Sequence, residues 1–183
     1  MSEINKILTS LEKLYRHNYK LIINPNFTSH NNELVWGKYK ENKSFEEYDE
    51  YYNWIMNEGQ YSLMFLDNSA IQIKIQFKDD KLIKASYSYI PQPDNEYIYL
   101  RFDLDNKSSR DFVHTDYHIH FGYNNKHIRV SLHCFPSPTE LIEFILAFIY
   151  NNKRFYKKYD SKFTPSLDEL NTKYHHYFKL MKN

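Results

Sequence analysis

Histidine, arginine and aspartate are concentrated in one stretch of the sequence. Residues 114–134 read HTDYHIHFGYNNKHIRVSLHC and hold five of the nine histidines in the chain. Successive side chains of an extended strand point to opposite faces of a sheet, so His118 and His120 share a face. The same alternation places Arg129 and His133 together on the next strand. We therefore expect a polar surface on one side of a sheet.

The strand that precedes this stretch adds opposite charges to the same surface. In EYIYLRFDLD, the residues Arg101 and Asp103 alternate with apolar residues. If this strand neighbours the histidine strands, Arg101 and Asp103 face the same way as His118 and His120. His114 then lies at the rim of the surface, where it is a candidate binding residue, as is His133.

Three kinds of chemistry suit these residue types. A His-x-His pair with a third ligand from Asp103, His114 or His133 is typical of a zinc, manganese or iron site, which makes a divalent metal a candidate cofactor. Alternatively, His118 and His120 act as general acid and base while the arginines hold a phosphate, as in a metal-independent ribonuclease or phosphotransferase. Binding of a nucleotide or a phosphorylated partner without turnover is the third. The plain alternative is a solvated sheet face with no function.

Helices are predicted on both sides of these strands from apolar spacing and capping signals. Apolar residues recur at three- and four-residue intervals over residues 3–17. Ser44 with Glu47 resembles a capping box that starts a second helix, and Gly59 stands where a C-cap glycine would end it. Two further helices have capping signals of the same kind, which begin at Ser137 and at Ser166.

The middle of the chain has the period of extended strands. Residues 61–90 contain three extended runs separated by Asp67-Asn68 and Asp79-Asp80, and further runs follow around residues 96–105, 117–122 and 127–133. Short polar breaks between consecutive strands favour an antiparallel meander. We predict a single α+β domain over residues 1–183, with an antiparallel β-meander sheet and helices packed on one face.

Composition limits the classes of partner. The chain carries 24 Lys and Arg against 23 Asp and Glu, a formal charge of +1. No overall field gathers a polyanion, so nucleic-acid binding requires a local basic patch. The single cysteine has no internal disulfide partner. The first residues lack a signal-peptide pattern, and the longest apolar run falls short of the roughly 20 residues of a membrane span. We expect a cytoplasmic protein without membrane contact.

An ordered series of short motifs resembles the bacterial domain-of-unknown-function family 2290. The motifs are DNS at 67–69, RFD at 101–103, HTDYHIH at 114–120, RVS at 129–131 and PTELIEFIL from Pro138. A looser likeness is to the TumE-like toxins of bacterial toxin and antitoxin pairs, which share the meander and a His-x-His segment. The chain departs from the family pattern at turn and spacer positions, which are Asn68, Thr115, Tyr117 and Ser131.

This resemblance implies a toxin or antiviral-defence setting in bacteria. Our leading hypothesis is a protein that acts on RNA or a nucleotide, either as a ribonuclease or as a phosphotransferase-like hydrolase. His118 and His120 are then the acid/base or ligand pair, Arg101 and Arg129 stabilise phosphate charge, and Asp103 orients a histidine.

The rival hypothesis is a non-enzymatic binding module or an accessory subunit of a defence or toxin–antitoxin complex. Its partner is then a protein encoded nearby, and the histidine face is an interaction surface. A pocket in which the histidines converge favours chemistry, whereas a flat, wet face favours a protein partner.

Overall fold

Three helices and eight strands make up the described part of the chain. The structure is a computed structural model that describes residues 2–30, 32–37, 39–40, 43–93, 98–105, 117–123, 128–132 and 134–146. The helices within these ranges are α1 (Glu3–His17), α2 (Tyr48–Glu58) and α3 (Pro138–Ile145). None of these helices is long and apolar enough to cross a membrane.

The strands form one antiparallel sheet. They are β1 (Phe27–His30), β2 (Glu33–Trp36), β3 (Leu63–Met64), β4 (Ala70–Lys78), β5 (Lys81–Ile90), β6 (Leu100–Asp105), β7 (Tyr117–Phe121) and β8 (Ile128–Ser131). Their order is β1-β2-β4-β5-β6-β7-β8, and the short β3 pairs with β4. From β4 to β8 each strand pairs with the next one along the chain. The predicted α+β class and the antiparallel meander are confirmed.

One face of the sheet carries the larger apolar core. Alternate residues of the central strands point to this face, where α1 and α3 cover them. The buried side chains from these strands are Ile71, Ile73, Ile75, Ala85, Tyr87, Tyr89, Leu100, Phe102, Leu104 and Ile119. Leu11 of α1 and Ile142 of α3 pack against them. This core fixes which side chains are left for the other face.

The helix α2 packs against the opposite face. Tyr51, Tyr52 and Ile55 form a second, smaller core with Ala70 and Ile90 at one end of the sheet. The prediction that helices pack on one face therefore holds for α1 and α3, whereas α2 lies on the other side. Periodicity shows that a helix buries one side, but it does not show which sheet face receives that side.

The start of α2 differs from its predicted start. The helix begins at Tyr48, and the N-cap residue Glu47 makes no side-chain capping hydrogen bond, so the predicted Ser44 capping box is wrong. The ring of Phe45, before the helix, instead packs 5.5 Å from that of Trp54, centroid to centroid. The predicted end is confirmed, because Gly59 caps the helix with a φ of 64°.

The start of α3 is as predicted. Ser137 Oγ accepts a hydrogen bond from the Glu140 backbone N–H, the Glu140 side chain returns a bond to the Ser137 backbone, and Pro138 occupies the first helical turn. This helix carries the PTEL segment quoted above. The helix predicted from Ser166 lies outside the described residues.

Candidate functional site

Two rows of polar side chains cross the sheet on the α2 face. Residues that are directly opposite in antiparallel strands point to the same face, so the register determines the rows. The first row, from β5 to β8, is Ser88, Arg101, His120 and Arg129; the second is Ser86, Asp103, His118 and Ser131. The alternation inferred from the sequence is confirmed, and Arg101 and Asp103 lie beside the histidines.

The carboxylate of Asp103 is the centre of the contacts within these rows. Ser86 Oγ donates to Asp103 Oδ1 over 2.7 Å. Arg101 Nε donates to Asp103 Oδ2 over 2.7 Å, and His120 Nε2 lies 3.2 Å from the same oxygen. His118 Nε2 lies 3.7 Å from it. Both histidines therefore aim the same ring nitrogen at one carboxylate oxygen.

The two histidines are buried rather than solvated. His118 is 7% exposed and His120 is 2% exposed, and their ring centroids are 4.8 Å apart. Polar side chains on an ordinary solvated face would be open to water. A buried pair beside a carboxylate is therefore a candidate functional site rather than part of a solvated face. One ligand atom each from Asp103, His118 and His120 lie within 4.8 Å of one another, so these three residues could hold a metal ion.

Burial and neighbouring charges shift the pKa values of Asp103 and His120. Burial raises the pKa of Asp103, but the hydrogen bond with His120, the charge of Arg101 and the Ser86 hydroxyl outweigh burial and lower it to about 2. Burial lowers the pKa of His120 below its usual 6.5, and the Arg101 and Arg129 charges act in the same direction, against the raising effect of Asp103. At neutral pH the site therefore holds an ionised carboxylate and a neutral imidazole.

A pocket of about 570 Å³ opens over both rows. Its described lining includes five cationic side chains, Lys43, Lys74, Lys84, Arg101 and Arg129, and a single carboxylate, Asp103. The chain as a whole is close to neutral, with a formal charge of +1. Positive charge is thus concentrated at this pocket, which favours an anionic ligand.

Tyrosines form the wall of the pocket beneath α2. Tyr51 of α2 and Tyr123 stack with ring centroids 4.9 Å apart, and Tyr99 meets Tyr123 edge to face at 5.5 Å. The Tyr51 hydroxyl donates to Gln72 Oε1 over 2.9 Å, and the Tyr99 hydroxyl donates to Ser88 Oγ over 3.2 Å. Burial raises the pKa of both phenols, so they remain hydrogen-bond donors at neutral pH.

Most of the predicted site residues come together in this pocket. Its lining includes Arg101, Asp103, His118, His120 and Arg129. The two candidate binding residues, His114 and His133, lie outside the described residues.

Sequence reasoning missed the residues supplied by β4, β5 and α2. Ser86 and Ser88 face Asp103 and Arg101 across the β5–β6 pairing, and Lys74 follows in the row beyond Ser86. The alternation of apolar and polar residues in β4 and β5 already contained this signal. Once the meander order was inferred, the same parity rule placed these side chains on the histidine face.

A family comparison agrees with part of the resemblance seen in the sequence. The model of an uncharacterized conserved protein family, DUF2290, matches residues 17–99. The match supports the similarity to that family. It includes the DNS motif at 67–69 and ends before the RFD, HTDYHIH and RVS motifs. No curated protein and no solved structure matches the chain. The likeness to TumE-like toxins stays a prediction.

Proposed function

We propose that the polar face of the sheet binds the phosphate of RNA or a nucleotide and cleaves a phosphate ester. The observation that carries this proposal is the lining of the pocket, in which five cationic side chains surround two buried histidines and one carboxylate. Phosphate esters are the commonest biological anions that such a lining suits, because arginine and lysine both bind phosphate oxygens.

Arg101 is positioned to hold a phosphate at the histidines. Its Nε–H bond to Asp103 fixes the guanidinium plane, and its Nη2 lies 3.2 Å from His120 Nε2. The side chain remains 40% exposed and lines the pocket. A phosphate that binds this planar group lies beside both imidazoles. Arg129, opposite His120 in the β7–β8 pairing, adds a second positive charge.

The histidines supply the reacting group. A general base and a metal ligand both require a neutral imidazole with a lone pair, and the lowered pKa of His120 provides one at neutral pH. The ionised Asp103 lies 3.2 Å from Nε2 of this ring and orients it, as a carboxylate does in many catalytic sites. The site therefore combines charge neutralisation with a reactive nitrogen.

The tyrosine wall favours a ligand that carries a base. Aromatic rings stack on nucleobases, and such contacts are worth about 1–3 kcal/mol per base in single-stranded nucleic-acid complexes. Tyr123, which is only partly buried, lines the same pocket as Arg101. A nucleotide places its phosphate and its base in one ligand, so it matches both the cationic and the aromatic parts of the lining.

The rival protein-partner hypothesis requires a flat, wet face. His118 and His120 instead converge on one carboxylate oxygen inside a pocket, which supports chemistry over an interaction surface. The toxin or defence setting, the cytoplasmic location and a protein partner encoded nearby stay predictions.

Turnover by the full-length protein tests this proposal. We expect the unaltered chain to cleave either single-stranded RNA or a nucleoside triphosphate. Chromatography of the products measures the rate of cleavage. Replacement of both His118 and His120 by alanine removes the reacting groups and lowers the rate by at least about 100-fold. The matched control replaces His17 and His30, which are exposed residues of α1 and β1, and keeps the full rate.

Nucleotide binding is measured for the variant Arg101→Gln. Its control is Arg16→Gln, on the exposed side of α1. These single substitutions keep the test decisive if the double variant does not fold. We expect a loss of nucleotide affinity in the first variant alone. Binding without turnover overturns the cleavage step, and equal affinity in the two arginine variants overturns the phosphate site.

A further inference from the structure

His120 Nε2 faces two groups that it cannot satisfy together. Arg101 Nη2, a donor, and Asp103 Oδ2, an acceptor, both lie 3.2 Å from this nitrogen. A protonated nitrogen donates to Asp103 and opposes the arginine N–H, whereas an unprotonated nitrogen accepts from Arg101 and opposes the carboxylate lone pair. No tautomer of histidine satisfies both contacts.

A metal cation accepts a lone pair from the imidazole and from the carboxylate at the same time, so it satisfies both of these groups, and the Arg101 Nη2–H is then left to donate to an anion in the pocket. We infer that Asp103 Oδ2, His118 Nε2 and His120 Nε2 bind one divalent transition-metal cation of the zinc, manganese or iron class. Two histidines and one carboxylate are a common ligand set for these ions. This inference goes beyond the proposed phosphate site, because it concerns the cation and not the substrate.

The spacing of the three atoms fits a shared ion. Ligand atoms bound at about 2.0–2.2 Å from one zinc ion lie roughly 3–3.5 Å apart. The two nitrogens are 3.2 Å and 3.7 Å from the carboxylate oxygen, and one ligand atom from each of the three residues lies within 4.8 Å of the others.

Strand pairing and a hydrogen bond from Ser86 hold the three ligand residues in place. Asp103 and His118 are directly opposite in the β6–β7 pairing, and His120 lies two residues further along the same strand. Ser86 Oγ holds the other carboxylate oxygen, Oδ1, which leaves Oδ2 directed at the histidines. Hydrogen bonds of this kind orient metal ligands and tune their affinity.

Three protein ligands leave coordination positions for water or substrate. The three ligand residues line the pocket together with Arg101 and Arg129, so those positions face the place where we propose the phosphate binds. The ion and the arginines then contact the same anion from different sides.

Titration of the chelator-treated, full-length protein with Co²⁺ tests this inference, because Co²⁺ bound by such ligands absorbs visible light. We expect one Co²⁺ per chain, displaced by Zn²⁺. Asp103→Asn and His120→Ala should each weaken binding by at least about 100-fold, and Ser86→Ala, which keeps all three ligands, by about 10-fold. His30→Ala, on an exposed strand end, is the matched control and should bind as the unaltered chain does.

Absence of one-to-one Co²⁺ binding by the unaltered chain overturns the inference. Binding that is the same in Asp103→Asn, Ser86→Ala and the control also overturns it, because other histidines then hold the ion. The titration contains no RNA or nucleotide, so its failure is separate from failure of the phosphate site. Ser86→Ala keeps the test usable if removal of Asp103 prevents folding.

Discussion

Asp103 carries the negative charge around which the site is organised. Its oxygens contact Ser86, Arg101, His118 and His120 at 2.7–3.7 Å. Alternation in the sequence was sufficient to place Asp103 beside the histidines. Ser86 of the neighbouring strand β5 was missed: the same alternation places it on this face, but its position opposite Asp103 depends on the register of the two strands.

Acid should weaken the fold through Asp103 in the metal-free protein. Its pKa is lowered from 3.8 to about 2 in the fold, so the ionised carboxylate stabilises the protein above the unfolded-state pKa. This contribution, about 2 kcal/mol, is lost as the pH falls from about 5 to about 2. Urea unfolding of the unaltered chain and of Asp103→Asn should therefore show a difference in free energy that shrinks over this range.

A pH-independent difference between the two proteins would show that the carboxylate is not stabilised in the fold. Asp49→Asn is the matched control, since Asp49 is an acidic residue in the first turn of α2. Asp49→Asn should change the free energy of unfolding at neutral pH by less than Asp103→Asn does, because helix-terminus charges are worth only about 0.3–1 kcal/mol.

Among the elements, α2 covers part of the polar sheet face and contributes Tyr51 to the lining of the pocket. Its periodic apolar residues and its terminal glycine were predicted from the sequence, but its start and the face that it covers were not. Those two properties depend on contacts with distant residues, such as the bond of the Tyr51 hydroxyl to Gln72 of β4. Local capping preferences are weaker than the packing of several aromatic rings.

The end of α2 provides a test of this element. Gly59 has a φ of 64°, a conformation that costs alanine roughly 1–2 kcal/mol but that asparagine tolerates better. We expect Gly59→Ala to lower the free energy of unfolding by about 1 kcal/mol and Gly59→Asn by less. Thermal and urea unfolding measure both. Equal stability of Gly59→Ala and the unaltered chain would contradict the left-handed cap.

For the protein as a whole, the two faces of the sheet carry different kinds of side chain. Its apolar face packs against α1 and α3, while the opposite face holds the polar rows and α2. The meander could be predicted because consecutive strands are joined by short polar breaks, and the rows then followed from parity. The pocket could not be predicted, because its basic lining gathers Lys43, Lys74 and Lys84 from separate parts of the chain.

Imidazole nitrogen spectra of the full-length protein during addition of a nucleoside monophosphate test most directly whether this face is a phosphate site. Signals are assigned with the single variants His118→Ala and His120→Ala, and His17 and His30 serve as internal controls. We expect the His118 and His120 signals to shift with saturable dependence on the nucleotide, and to shift far less in Arg101→Gln. Unchanged His118 and His120 signals at saturating nucleotide, or shifts confined to His17 and His30, would contradict the account.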